Sequence, residues 1–131
     1  MTVSKDIKIL VVDDNAPMRK ILVNILTHAG FKNVTEANDG STALVKLNNT
    51  KTGSKKIDLV LLDWSMPNVT GMSVLKEVKA DLHLKDIPVI MVTAESSQEN
   101  IMAAVKAGAS NYIIKPFEPE TIISKIDKVF S

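Results

Sequence analysis

The stretch Ile57-Asp58-Leu59-Val60-Leu61-Leu62-Asp63-Trp64-Ser65-Met66-Pro67 constrains this chain most: an apolar run ends on a carboxylate and then breaks at a proline. Leu59–Leu62 leaves no polar position for a solvated face, so it predicts a strand covered on both sides, the pattern of a parallel sheet. Parallel strands need long crossovers, usually helical, and the chain on either side must supply them. Asp63 falls at the strand's carboxyl end, where an open α/β sheet keeps its binding crevice. Taken alone, an aspartate in that place more often caps the next helix.

The flanking sequence supplies the crossovers. Ile7-Lys8-Ile9-Leu10-Val11-Val12 is a β-branched run that ends on Asp13-Asp14, a second strand terminating in acid. Pro17 suits a first helical turn, and Met18, Ile21, Leu22, Ile25, Leu26 and Ala29 give one apolar face before Gly30 stops the helix. Residues 34–37 form a short strand, and Ala43, Leu44 and Leu47 mark a second amphipathic helix after Asn38-Asp39-Gly40. Residues 48–56 are polar, with three lysines and a glycine, and exceed the usual connection of about 2 to 6 residues. They predict a surface insertion on the side of the sheet away from the acids.

Thr70-Gly71 leads into a third helix with Met72, Leu75, Val78 and Leu82 inward and Lys76, Glu77 and Lys79 outward. Residues 88–92 form a buried strand ending on Thr93-Ala94-Glu95. The helix over residues 97–107 carries Ile101, Met102, Ala104 and Val105, its methionine read as core filler, and Gly108 closes it. Asn111-Tyr112-Ile113-Ile114 is the last strand and ends on Lys115-Pro116-Phe117. Pro119 opens a final helix with Ile122, Ile123, Ile126, Val129 and Phe130 inward. The expectation is one α/β domain over residues 1–131, a doubly wound sheet of five parallel strands with five helices and right-handed crossovers.

Charge and composition narrow the function. Sixteen basic residues against fifteen acidic ones leave a net charge of +1, which offers no field for nucleic acid. With no cysteine, a disulfide framework and thiolate metal sites are excluded. Met1-Thr2-Val3-Ser4-Lys5-Asp6 has no apolar export core, and the longest apolar runs are too short to span a bilayer. A cytoplasmic protein without membrane insertion is expected.

Parallel strands present their carboxyl ends to one edge, so Asp13, Asp14, Asp63, Thr93 and Lys115 should converge there, with four strands contributing and the second not. Three carboxylates so close raise at least one pKa unless a cation neutralises them. Mg²⁺ suits that need, because it takes one or two carboxylates plus waters and leaves positions for phosphate oxygens. Lys115 and Thr93 are then apt to bind an oxyanion carried on Asp63, and a carboxylate that attacks phosphorus becomes an acyl phosphate. Each residue has a plainer reading: Asp14 or Asn15 capping the first helix, Thr93 capping the fourth, Lys115 as a surface charge. Their joint placement at strand ends argues against it.

Val11-Val12-Asp13-Asp14, Asp63-Trp64-Ser65-Met66-Pro67 with Gly71, Val92-Thr93-Ala94-Glu95 and Lys115-Pro116-Phe117 together resemble the receiver domains of two-component response regulators, most nearly the single-domain, CheY-like chemotaxis type. The resemblance runs from about residue 7 to 130 and implies the flavodoxin-like strand order 2-1-3-4-5. It implies that Asp63 accepts a phosphoryl group from a sensor histidine kinase. Asp13, Asp14, Asp63 and the backbone carbonyl of Ser65 would hold Mg²⁺, and Thr93 and Lys115 would bind the phosphoryl group. It also implies a cis Lys115-Pro116 bond, where the residues alone favour trans. Thr93 and Tyr112 would form the switch, Ser65 and Glu95 would tune dephosphorylation, and Ile101, Val105, Tyr112 and Lys125 would lie on the partner surface. Ser65 and Asn15 depart from the chemotaxis pattern, where asparagine and a bulkier apolar residue are usual.

The expected function is that of a monomeric signalling protein and not an enzyme. Its output partner, the flagellar motor switch, and any phosphatase acting on it are separate proteins. One rival within the family is a shuttle that passes the phosphoryl group to another histidine. A rival of another class, a magnesium-dependent aspartyl phosphatase, usually has a second aspartate two residues after the first, where this chain has Ser65. A nucleotide or flavin protein would need a glycine-rich loop where Asp13-Asp14-Asn15 stands.

Overall fold

The computed structural model describes residues 3–131; Met1 and Thr2, the start of the N-terminal stretch that lacks an apolar export core, lie outside the described residues. Strands and helices alternate throughout: β1 (Lys8–Val12), α1 (Ala16–His28), β2 (Asn33–Ala37), α2 (Gly40–Asn49), β3 (Leu59–Leu62), α3 (Gly71–Ala80), β4 (Val89–Thr93), α4 (Gln98–Lys106), β5 (Asn111–Ile114) and α5 (Pro119–Phe130). All neighbouring strands pair in parallel, in the order β2-β1-β3-β4-β5.

The period-two alternation of strand side chains divides the core into two layers. Leu10, Val12, Val60, Leu62, Val89 and Met91 face one way and pack with Ala43, Leu47, Val74, Leu75, Val78 and Ala104 from α2, α3 and α4. Ile9, Val11, Leu59, Leu61, Ile90 and Val92 face the other way and meet Leu22 and Leu26 of α1 and Ile122 and Ile126 of α5. The central strands are thus sealed on both sides, as the apolar run of β3 requires.

Helix starts are fixed locally. Asn15, Asp39, Thr70 and Ser97 each accept a hydrogen bond from a backbone N–H in the first turn of α1, α2, α3 and α4, and Pro119 opens α5. Gly30 and Gly108 follow α1 and α4 with φ of 101° and 110°, a conformation that costs glycine little.

Several apolar assignments fail at the margins. Ile21 is 47% exposed and Phe130 37%, because they lie at the edges of helical stripes whose centres are Leu22, Leu26, Ile122 and Ile126. Leu82 lies beyond the end of α3 and is 74% exposed, and Met102 is 51% exposed rather than core filler. On α4 only Ala104 is fully buried, so this helix covers the sheet shallowly and leaves Met102 and Val105 in solvent.

Lys79 is not an outward charge. Its ammonium donates to the carbonyls of Lys85 at 3.0 Å and Ile87 at 2.7 Å, tying α3 to the loop before β4. Burial pulls its pKa below the usual lysine range, against the opposing attraction of Asp86. Residues 48 and 49 belong to α2, and the rest of the polar insertion runs to the amino end of β3, where Lys51 meets Asp81 at 3.4 Å.

Candidate functional site

Asp13 follows β1 and Asp63 follows β3, the two strands at which the winding direction of the sheet reverses, so their carboxylates flank the crevice opened by that reversal. Strand packing holds both in place, and they are 0% and 5% exposed. Asp14 is exposed beside them, and one oxygen from each of the three carboxylates lies within 4.8 Å of the others. Asn15, not Asp14, caps α1, which leaves Asp14 free of that duty. The Asn15 N–H donates to Asp13 Oδ1 at 2.9 Å.

Lys115 reaches in from the end of β5. Its Nζ donates to Asp13 Oδ2 at 2.8 Å and Asp63 Oδ2 at 3.4 Å, so a fixed cation of the chain already partly balances the acids. The peptide bond after it, Lys115-Pro116, is cis. Thr93 is fully buried at the end of β4 and does not cap α4, a task that Ser97 performs.

Burial pushes the Asp63 carboxyl above the usual carboxylate range; Lys115 opposes this, Asp13 adds to it, and the Thr93 hydroxyl and Ser65 N–H oppose it more weakly. The crowding of carboxylates is therefore secondary to burial as the cause. Oxygen-only donors in this arrangement form a hard site that fits a small divalent cation, and the exposed Asp14 keeps it open to solvent.

The rim is built by residues near in space and distant in sequence. Ser65 is exposed, its N–H donating to Asp63 Oδ1 at 3.3 Å and its hydroxyl to Glu95 Oε1 at 3.4 Å. Half-buried Tyr112 donates its hydroxyl to the Glu95 carbonyl at 2.8 Å, and burial raises its pKa, with Glu95 and Asp63 adding to the shift. Ile101 and Lys125 are half-buried and Val105 is 55% exposed, on the α4 and α5 side of Tyr112.

One contribution escaped the sequence. The second strand does take part: the Glu36 carboxylate accepts from Arg19 Nε at 2.8 Å, and Arg19 Nη1 donates to the Asp13 carbonyl at 2.8 Å. This clamp fixes the backbone that carries Asp13 and Asp14. Gly71, part of the motif that follows Asp63, has a steric reason for being glycine: a Cβ there would stand 2.0 Å from the Asp63 carbonyl oxygen and 2.8 Å from Trp64 Cα. Gly71→Ala must push back the backbone of the acid itself, and we expect a loss of about 3 kcal/mol in chemical denaturation. A stability within about 0.5 kcal/mol of the parent would contradict the close approach.

A family model described as the response regulator receiver domain matches residues 9–127. The chain is 46% identical over 127 residues to the chemotaxis protein CheY-3 of Vibrio cholerae, covering 97% of this chain and 94% of the relative. It is 45% identical over 123 residues to the chemotaxis protein CheY of Pseudomonas aeruginosa, covering 94% and 95%. Among solved structures, Vibrio cholerae CheY4 superposes with a TM-score of 0.85 at 32% identity, over 95% of this chain and 98% of that one. The CheY of a Borrelia burgdorferi CheX–CheY–BeF3–Mg²⁺ complex gives a TM-score of 0.87 at 30% identity, over 95% and 90%. Sequence, strand order and the acid cluster agree, and the chain belongs to the response regulator receiver domain family.

Proposed function

We propose that this protein is switched by transfer of a phosphoryl group from the phosphohistidine of a sensor kinase to Asp63. The observation that carries this reading is a buried carboxylate with two further carboxylates within 4.8 Å and the Lys115 ammonium at 3.4 Å. In the transfer an Asp63 oxygen attacks phosphorus, the P–N bond to the donor imidazole breaks, and an acyl phosphate forms on Asp63. Lys115 and Thr93 receive the phosphoryl oxygens as a fixed charge and a fixed hydroxyl, so little reorganisation is needed when charge arrives. Asp13, Asp14, Asp63 and the Ser65 carbonyl would hold Mg²⁺, which supplies charge neutralisation among the acids and the phosphoryl oxygens. The Mg²⁺ and BeF3 named with the Borrelia burgdorferi relative support this assignment.

The switch then acts through Thr93 and Tyr112. When the Thr93 hydroxyl turns to the phosphoryl group it gives up the Glu95 N–H, which now lies 3.3 Å from it, in the loop that also holds the Tyr112 hydroxyl. The rearranged surface carries Ile101, Val105, Tyr112 and Lys125. The names of the chemotaxis relatives support a role in chemotaxis, and in this reading the protein is a cytoplasmic, monomeric receiver over residues 1–131 whose partner is the flagellar motor switch. Ser65 and Glu95 flank the acceptor and set how long the group persists.

Trp64 offers the test of metal placement. It is the only tryptophan, half-buried, and next to Asp63. Titrating Mg²⁺ into metal-free protein should change its emission in a saturable way, and Asp13→Ala or Asp14→Ala should weaken the apparent affinity by about tenfold or more. Metal binding seen by calorimetry without any change in emission, or equal affinity in both variants, would contradict the placement.

A further inference from the structure

Glu95 is held at both ends. Its N–H donates to Thr93 Oγ1 at 3.3 Å and its carbonyl accepts from Tyr112, while its carboxylate accepts from the Ser65 hydroxyl on Oε1 and from Asn100 Nδ2 at 3.0 Å on Oε2. Asn100 is itself located by the start of α4. Ser97 is the N-cap, and its hydroxyl accepts from the Asn100 N–H at 3.1 Å. In a capping box, the residue three after the cap reaches back to the cap's own N–H. Asn100 holds that position but reaches two residues further back, to Glu95. Because a carboxylate can only accept, the amide group facing it is the NH₂.

We propose that Asn100 is a positioning residue that lengthens the life of the phosphoryl group by holding the Glu95 carboxylate across the open face of the site. The proposal rests on Asp63 as the acceptor. Loss of the group requires water to attack phosphorus. The P–O bond to Asp63 breaks, its electron pair returns to the Asp63 carboxylate, and inorganic phosphate leaves with the water's oxygen, its proton passing to solvent. The water arrives from the side where Ser65 lies, and Ser65 links Asp63 Oδ1 to Glu95 Oε1 through contacts of 3.3 and 3.4 Å. A carboxylate pinned there fills the approach, and with an oxygen engaged by Asn100 it is poorly free to take a proton from the water. Without Asn100, the side chain is tethered only by the longer contact to Ser65 and swings into solvent.

The experiment follows phosphoryl decay in Mg²⁺ after removal of a small acyl phosphate donor. It compares the parent protein, Asn100→Ala, the isosteric Asn100→Asp, Glu95→Ala, and the double variant Asn100→Ala with Glu95→Ala. Asn100→Ala and Asn100→Asp should each decay about threefold faster or more, a difference large enough to separate coupled from independent sites. In the Glu95→Ala background, Asn100→Ala should change the rate by less than about twofold, because the group it positions is gone. Unchanged or slower decay in both single Asn100 variants, or the same acceleration in the Glu95→Ala background, would overturn the proposal. Should the parent protein carry no phosphate on Asp63, the reading of the acceptor fails first, and that is seen before any decay is followed.

Discussion

Asp63→Asn is expected to take up no acid-labile phosphate from a small acyl phosphate donor under conditions in which the parent protein takes up one equivalent, while the fold survives. The amide is nearly the same size as the carboxylate and keeps an oxygen for the Ser65 N–H, but its oxygen is too weak a nucleophile to form an acyl phosphate. The same variant should be more stable without metal. Burial holds the Asp63 carboxyl above the usual range, so the folded protein binds this proton more tightly than the unfolded chain does. The stability that this proton contributes is complete below the unfolded pKa and is lost as pH rises through the folded one. At neutral pH the charge is therefore a net cost, and removing it should raise the melting temperature by roughly 4 °C, on the order of 1 kcal/mol. The gain should vanish once the pH falls below the unfolded chain's carboxylate range. Full uptake at another residue, or a lower melting temperature at neutral pH without metal, would count against this account.

The second large effect belongs to Lys115. Its ammonium touches both Asp13 and Asp63, and the Asp13 side chain is only 1% exposed. Breaking a buried pair by removing one member leaves an uncompensated charge, so Lys115→Ala should cost about 3 kcal/mol in chelator at neutral pH. For a domain of this length that is a fall of roughly 10 °C in melting temperature. Millimolar Mg²⁺ should recover much of the loss, since a cation held by the acids replaces the missing charge and stabilises by mass action. Lowering the pH until the Asp63 carboxyl, held above the usual range, is protonated should also shrink the difference. The variant should still accept some phosphate but respond poorly, because a fixed charge on the phosphoryl oxygens is gone. Equal melting temperatures of parent and variant in chelator would show that Lys115 does not balance these acids.

The architecture was legible because its signals are local. A four-residue run such as Leu59–Leu62 must be sealed on both sides, and the acids, threonine and lysine that close four strands share an edge once the sheet is parallel. Depth was less legible. Met102 and Leu82 fit a helical stripe as well as Leu75 does, yet only the position of a helix over the sheet decides whether a stripe's edge is covered.

The partners that fix the site are the least local part. Arg19 and Glu36 are 17 residues apart, and Ser65 and Glu95 are 30 apart. Each pair meets through loop and helix geometry that no periodicity encodes. Nothing in the sequence sets Asn100 apart from other polar residues in a first helical turn, and its reach to Glu95 depends on the path of the two residues before the cap. Lys79 shows the reverse case, a charged residue at an outward position whose long stem lets the ammonium find two buried carbonyls.

The most direct test of phosphoryl transfer to Asp63 is the intact mass of the protein after incubation with an acyl phosphate, with and without Mg²⁺, followed by reductive trapping and peptide mapping. The expected result is the mass of one added phosphoryl group, dependent on Mg²⁺ and mapped to Asp63. An adduct on another residue, or steady release of phosphate over many turnovers with no adduct on Asp63, would contradict it.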